Sequence, residues 1–218
     1  MKYVVFKSDK KINPFSPQWD YFICEFDLQG IDFAKISQLI LSKEKHIIES
    51  TLPKNDHAYY TELSSNSLTS RSHTYNFFNL FKDPEITKLK QAVSNNYLKM
   101  MQDLKLEVPD TWIFAWANVM RKGEEIKPHL HCVKNWSYLS GHITVQCKDT
   151  ATVYINPINQ INDPEIYSAK NKVGSLSFFQ SNIPHYTTKH EADSERITIA
   201  FDLFANQSPH FKDDDLLI

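Results

Sequence analysis

The sequence predicts a mostly β fold with flanking helices, and three observations predict it. From residue 111 onward the apolar residues recur with a period of two. The runs carrying that period are short and separated by turn signals, as in a sandwich or barrel. Ahead of them lie two stripes of apolar residues at helical spacing.

Residues 2–7 and 20–28 read as strands, the second rich in aromatic and β-branched residues. Asn13-Pro-Phe-Ser-Pro17 breaks the chain between them. From Asp32 to about Ser50, Phe33, Ile36, Leu39, Ile40 and Ile47 trace one helix face. Residues 51–76 show no period and read as a long connector with the capacity to wall a site. Phe77, Phe78, Leu80 and Phe81 form an apolar knot expected in the core. Asp83-Pro84-Glu85 suits a helix start: Asp caps, Pro fits the first turn and Glu complements the dipole. Ile86, Leu89, Val93, Tyr97, Met100, Met101 and Leu104 carry that helix to about residue 106.

Strands are expected at 111–120, 126–133, 139–147, 151–156, 173–180, 185–190 and 196–204, with room for an eighth in the polar stretch 157–172. Three of only four glycines lie in this half: Gly123 in a turn, Gly141 in a strand and Gly174 before a strand. The acid run near the end reads as solvated. Residues 1–110 are thus an α/β elaboration packed on a β core at 111–205 within the same domain, and 206–218 are a tail.

A length of 218 residues with 41% hydrophobic and 23% charged content is that of an ordinary globular domain. A formal charge of −2 carries no nucleic-acid or anionic-membrane footprint. No apolar run is long enough to span a bilayer, and the first residues hold no signal-peptide core. Cys24, Cys132 and Cys147 follow no disulfide-scaffold spacing, so a cytoplasmic location is expected.

The chemistry concentrates at Lys127-Pro-His-Leu-His131. His129 and His131 are two apart in an extended run, which turns both imidazoles to one side. His185 opens another strand-like run 54 residues after His131, and Arg196 follows 11 residues later. Two ligands on one strand and a third on a distant one make a facial metal site with open positions. A fixed cation just beyond suits a dicarboxylate. By the same alternation Asn118 points inward with Trp116 and Met120, and Ser140 and His142 share a face with Thr144. Cys132 points away from the ligand side and His190 reads as surface.

This order of residues resembles the Fe(II)/2-oxoglutarate-dependent dioxygenases. Trp116-Ala-Asn118, Lys122-Gly123-Glu124, Pro128-His-Leu-His131, Leu139-Ser-Gly141, Val173-Gly-Ser-Leu-Ser-Phe-Phe179, His185 and Glu195-Arg-Ile-Thr-Ile-Ala-Phe201 are similar to a prolyl-hydroxylase-like subgroup of marine bacteria and their phages, which also carries His-x-His. The resemblance covers about residues 111–205. It implies a double-stranded β-helix (jelly roll, cupin-like) whose larger sheet is buttressed by the N-terminal helices. It implies Fe(II) and 2-oxoglutarate as cofactors, O₂ as co-substrate, and His129, His131 and His185 as metal ligands. No catalytic side chain beyond the metal centre is implied. Arg196 would take the distal carboxylate of 2-oxoglutarate with help from Thr198, and Thr144 stands where relatives carry a tyrosine that touches the keto acid. Asn118 is a further candidate contact, and Trp116, Ser140 and His142 are candidate pocket residues. The substrate implied is an amino acid, a peptide or a small metabolite.

His131 departs from the usual pattern, in which a carboxylate fills the middle ligand position. Three neutral imidazoles leave the centre at +2 where a carboxylate would leave +1. Two other readings follow from that departure. One is a three-histidine cupin-like dioxygenase without 2-oxoglutarate, for which Arg196 is dispensable. The other is a jelly-roll binding module without catalysis. The sequence leaves a homodimer open.

Overall fold

The computed structural model describes residues 1–52, 63–131, 137–158, 165–205 and 215–218. Strands β1 (Lys2–Lys7) and β2 (Asp20–Asp27) precede helix α1 (Phe33–Ser50). A 3-10 turn (Thr69–Arg71), a short helix α2 (Phe77–Leu80) and helix α3 (Pro84–Asp103) follow. The β half comprises β3 (Trp112–Met120), β4 (Ser137–Gln146), β5 (Ala151–Ile155), β6 (Ile166–Lys170), β7 (Ser175–Gln180), β8 (His185–Thr187) and β9 (Arg196–Phe204). Strand β6 is the eighth strand for which the sequence left room.

The strands form two antiparallel sheets, one ordered β1-β2-β7-β4-β9-β3 and one ordered β6-β5-β8. This is a mostly β, jelly-roll architecture with helices against the larger sheet. The period of two divides that sheet cleanly. Ile113, Ala115, Ala117 and Val119 of β3, with Ile197, Ile199, Phe201 and Leu203 of β9, join the helices in one apolar core. The alternate residues, among them Trp116, Asn118, Arg196 and Thr198, occupy the opposite face, toward the smaller sheet.

Both helices obey their start signals. Asp32 accepts a hydrogen bond from the Lys35 N–H at 3.0 Å, and Asp83 accepts one from Glu85 N–H at 2.9 Å. Ile36, Ile40 and Ile47 of α1 and Ile86, Leu89, Val93, Tyr97 and Met100 of α3 are buried against the sheet. Each such aliphatic side chain contributes about 1.5–3 kcal/mol through burial. Helix α3 stops at Asp103, shorter than its stripe, because Lys105 turns to a positive φ of 56°.

Arg71 organises the described end of the long connector. Its buried guanidinium donates to Ile48 and Thr51 carbonyls at the end of α1 and to the Ser65 carbonyl. A cation there also complements the helix dipole. His57 lies outside the described residues.

Gly141 sits where β4 crosses under Phe201. A Cβ at that position would collide with the Ser177 carbonyl oxygen and the Phe201 ring, so the strand requires glycine.

Four expectations need correction. Leu80 leaves the apolar knot and is 37% exposed, while Phe77, Phe78 and Phe81 are buried. The α2 turn directs three rings inward and its fourth side chain out. The last residues are docked rather than solvated: Asp215 is buried and accepts hydrogen bonds from Asn76 and Asn79, each at 2.6 Å. Leu217 then donates to the Thr111 carbonyl at 2.8 Å. Asp213 and Asp214 lie outside the described residues, as does Cys132. His190 is buried, not on the surface, because its backbone closes on the 121–124 turn through Gly123 and Glu124. Finally, β8 is three residues long, and the run expected at 126–133 pairs with it as an isolated bridge between His129 and His185.

Candidate metal centre

That bridge builds the site. His129 N–H donates to the His185 carbonyl at 3.0 Å and His185 N–H returns a bond to the His129 carbonyl at 3.1 Å. Residues so paired stand side by side with their side chains on one face. Their rings lie 4.4 Å apart, and His131 brings a third ring to 4.9 Å from that of His185. One ligating atom from each of the three histidines falls within 4.8 Å of the others.

The second nitrogen of every ring is engaged. His129 Nδ1 lies 2.8 Å from the Lys127 carbonyl oxygen, and His185 Nδ1 lies 3.1 Å from that of Ile183. His131 Nδ1 lies 2.6 Å from Asp202 Oδ1. Each acceptor calls for a proton on Nδ1, which makes Nε2 the nitrogen suited to ligate a metal. Burial first, and the neighbouring His129 and His131 second, hold the pKa of His185 well below its ordinary value. It is therefore a neutral ligand in waiting. This is the donor set that a divalent transition metal needs.

Arg196 lies on the same inward face, opposite Met120. It is 2% exposed. Nη1 points at Met120 Sδ at 3.2 Å, while Nε is buried with no hydrogen-bond partner. Among the described residues no carboxylate pairs with it, and Asp193 instead meets Lys122 at 2.7 Å. Burial lowers its pKa to about 10, so it stays charged at neutral pH. An unpaired buried charge costs several kcal/mol. The orphaned guanidinium fits a group that brings an anion to it, as 2-oxoglutarate does.

The neighbouring candidates divide. Asn118 and Thr144 flank Thr198 on the two adjoining strands. Asn118 Oδ1 accepts from Thr69 Oγ1 at 2.8 Å, and its Nδ2 lies 3.4 Å from Thr198 Oγ1. Thr144 Oγ1 accepts from Ser175 at 3.1 Å. Trp116 is half-buried with its ring 5.5 Å from that of His131. Ser140 stands beside Asp202 rather than facing the metal position.

His142 lies outside the three-histidine cluster. Its Nε2 meets Tyr154 Oη at 3.0 Å, and its Nδ1 is buried without a partner. Burial first, then the charges of Arg196 and His131, lower its pKa to about 3. Unfolded, the same imidazole titrates near its ordinary value of 6.5. The unfolded state therefore binds the extra proton first, and the stability His142 permits is complete above pH 6.5. It is lost as pH falls from there toward the folded value, by about 1.4 kcal/mol per pH unit. We expect His142→Gln to flatten the acid side of a urea-midpoint-against-pH curve measured on metal-free protein. An unchanged slope would show that His142 does not set it.

Three residues here escape sequence reasoning. Asp202 continues the Arg196, Thr198, Ala200 alternation, so the period of two carried a signal for it. Tyr154, whose ring lies 5.9 Å from that of His185, and Thr69, from the connector, carried none.

Comparison with known proteins bears on the whole arrangement. Residues 114–202 match the family described as "Putative 2OG-Fe(II) oxygenase". Residues 114–202 are thus similar to a 2OG-Fe(II) oxygenase domain. The oxygenase match spans all three histidines and Arg196. A prolyl-4-hydroxylase from Pseudomonas putida shares the fold with a TM-score of 0.54 at 12% identity, over 85% of this chain and 93% of its own. The non-heme alpha-ketoglutarate-dependent carbocyclase SnoK from nogalamycin biosynthesis has a TM-score of 0.55 at 10% identity, over 84% and 79%. A prolyl hydroxylase from Trichoplax adhaerens, in complex with a hypoxia-inducible-factor peptide, has a TM-score of 0.52 at 12% identity, over 84% and 83%. No curated protein matches the oxygenase chain. No described helix is long and apolar enough to cross a membrane.

Proposed function

We propose that this Fe(II)- and 2-oxoglutarate-dependent dioxygenase hydroxylates an amino acid, a peptide or a small metabolite through a centre held by His129, His131 and His185. The observation that carries the assignment is the common orientation of the three rings. Each sets Nδ1 against an acceptor, and one ligating nitrogen from each ring lies within 4.8 Å of the others.

Iron with 2-oxoglutarate supplies the O₂ activation that inserts oxygen into a C–H bond, with the keto acid leaving as succinate and CO₂. The chain's own residues hold and orient. Arg196 would hold the distal carboxylate of 2-oxoglutarate through its guanidinium, and Thr198, two residues along the same face, would add a hydroxyl. Thr144, opposite Thr198, lines the same shelf. Asn118 braces Thr198 and ties the shelf to Thr69 of the connector. His142, neutral and backed by Tyr154, presents an unpartnered Nδ1 inside the barrel without adding charge. The low exposure of Arg196 and His185 keeps bulk water from this end. Trp116 beside His131 forms one wall on the substrate side. No protein acid or base is needed. The described thiols Cys24 and Cys147 are free, which suits a reducing cytoplasm.

Anaerobic titration of the metal-free protein with Fe(II) and then 2-oxoglutarate tests the reading. A visible charge-transfer band should appear only with both present. Tight metal binding without such a band would replace it with a three-histidine dioxygenase that does not use the keto acid.

A further inference from the structure

The charge deficit left by His131 has a structural answer on β9. Asp202 Oδ1 lies 2.6 Å from His131 Nδ1, and the two side chains are 14% and 6% exposed. The Ser140 hydroxyl lies 2.6 Å from the same carboxylate oxygen, with Ser181 Oγ a further 2.9 Å from Ser140. Among the described residues no Lys or Arg pairs with Asp202, so its negative charge faces the metal position through one imidazole. The other two histidines lean on neutral backbone carbonyls, those of Lys127 and Ile183. Asp202 thus stands behind the ligand that occupies the carboxylate position of the usual facial triad.

We infer that Asp202 is a positioning residue that gives the iron centre, through His131, the negative charge that a ligand carboxylate would supply. The inference rests on the three-histidine reading above. A carboxylate accepting the outer N–H of a ligating imidazole fixes the ring and raises its basicity, and loss of such a partner weakens metal binding roughly 10- to 100-fold. An Asp at 131 would bring a second negative charge close to Asp202.

The test is Co(II) binding by calorimetry, together with the position of the charge-transfer band of the anaerobic Fe(II)–2-oxoglutarate complex. Asp202→Asn keeps the size of the side chain and an oxygen that accepts from Nδ1, so ring orientation survives while the charge goes. We expect Co(II) affinity to fall roughly 10- to 100-fold and the band to move to shorter wavelength, as it does for a less electron-rich iron. Ser140→Ala removes a competing donor from Asp202 and should move the band the opposite way.

In the His131→Asp background the sign should reverse. His131→Asp alone binds Co(II) worse than wild type, and adding Asp202→Asn restores binding. A structural role for Asp202 predicts no such reversal. Wild-type affinity and an unmoved band in Asp202→Asn would overturn the inference, as would failure of that change to improve His131→Asp. No Co(II) binding by the wild type would instead remove the three-histidine reading itself.

Discussion

Replacing Arg196 with methionine is expected to stabilise the metal-free protein while making it blind to 2-oxoglutarate. Arg196 is almost fully buried, its Nε has no partner, and Met120 Sδ is a poor acceptor for Nη1. Burial strips the guanidinium of water, and among the described residues no carboxylate compensates it. An unbranched apolar side chain of similar length fills the space without that penalty. Apolar replacements of buried ionic groups gain about 1–4 kcal/mol in comparable settings. The same change removes the buried cation that, among the described residues, is aimed at the proposed keto-acid shelf. A bidentate charge-assisted pair is worth about 2–3 kcal/mol, so 2-oxoglutarate affinity should fall roughly 100-fold. Thermal melting in the absence of metal checks the first half. The charge-transfer titration checks the second. A methionine variant that melts lower and still binds 2-oxoglutarate would make Arg196 a structural residue.

Loss of a ligand histidine is the second large effect. His129→Ala or His185→Ala should abolish Fe(II) and Co(II) binding at micromolar metal, since two imidazoles cannot hold an octahedral face. The two variants should differ in the apo-protein. His185 is buried against Phe179, with rings 4.6 Å apart, so its truncation leaves a cavity and costs about 2–4 kcal/mol. His129 is more exposed and its removal should cost less. Metal-induced stabilisation should vanish in both, because a ligand raises stability only through its affinity for the folded state. Normal metal uptake by either variant would sink the ligand assignment.

Much of this was legible before any coordinates. The helices at Phe33–Ser50 and Pro84–Asp103 follow from 3.6-residue stripes and Asp caps, which are local features. The inward set His129, His131, Arg196, Thr198 and Asn118 follows from alternation alone, because a strand offers only two faces. The tertiary structure was needed wherever a partner comes from a distant segment. The docking of Asp215 under Asn76 and Asn79, and the burial of His190 beneath the 121–124 turn, pair groups with no shared local period. The reach of Thr69 to Asn118 crosses a connector that carries no pattern at all.

The sequence by itself determined the fold class, the two faces of the larger sheet and the residues eligible to hold a metal. These depend on periodicity and on side-chain chemistry, both written along the chain. Only the tertiary structure decided which nitrogen of each histidine faces a hydrogen-bond acceptor, that no carboxylate among the described residues pairs with Arg196, and that Asp202 stands behind His131. Those properties depend on distances between residues far apart in the chain, and electrostatic and hydrogen-bond energies are set by distance and burial rather than by order.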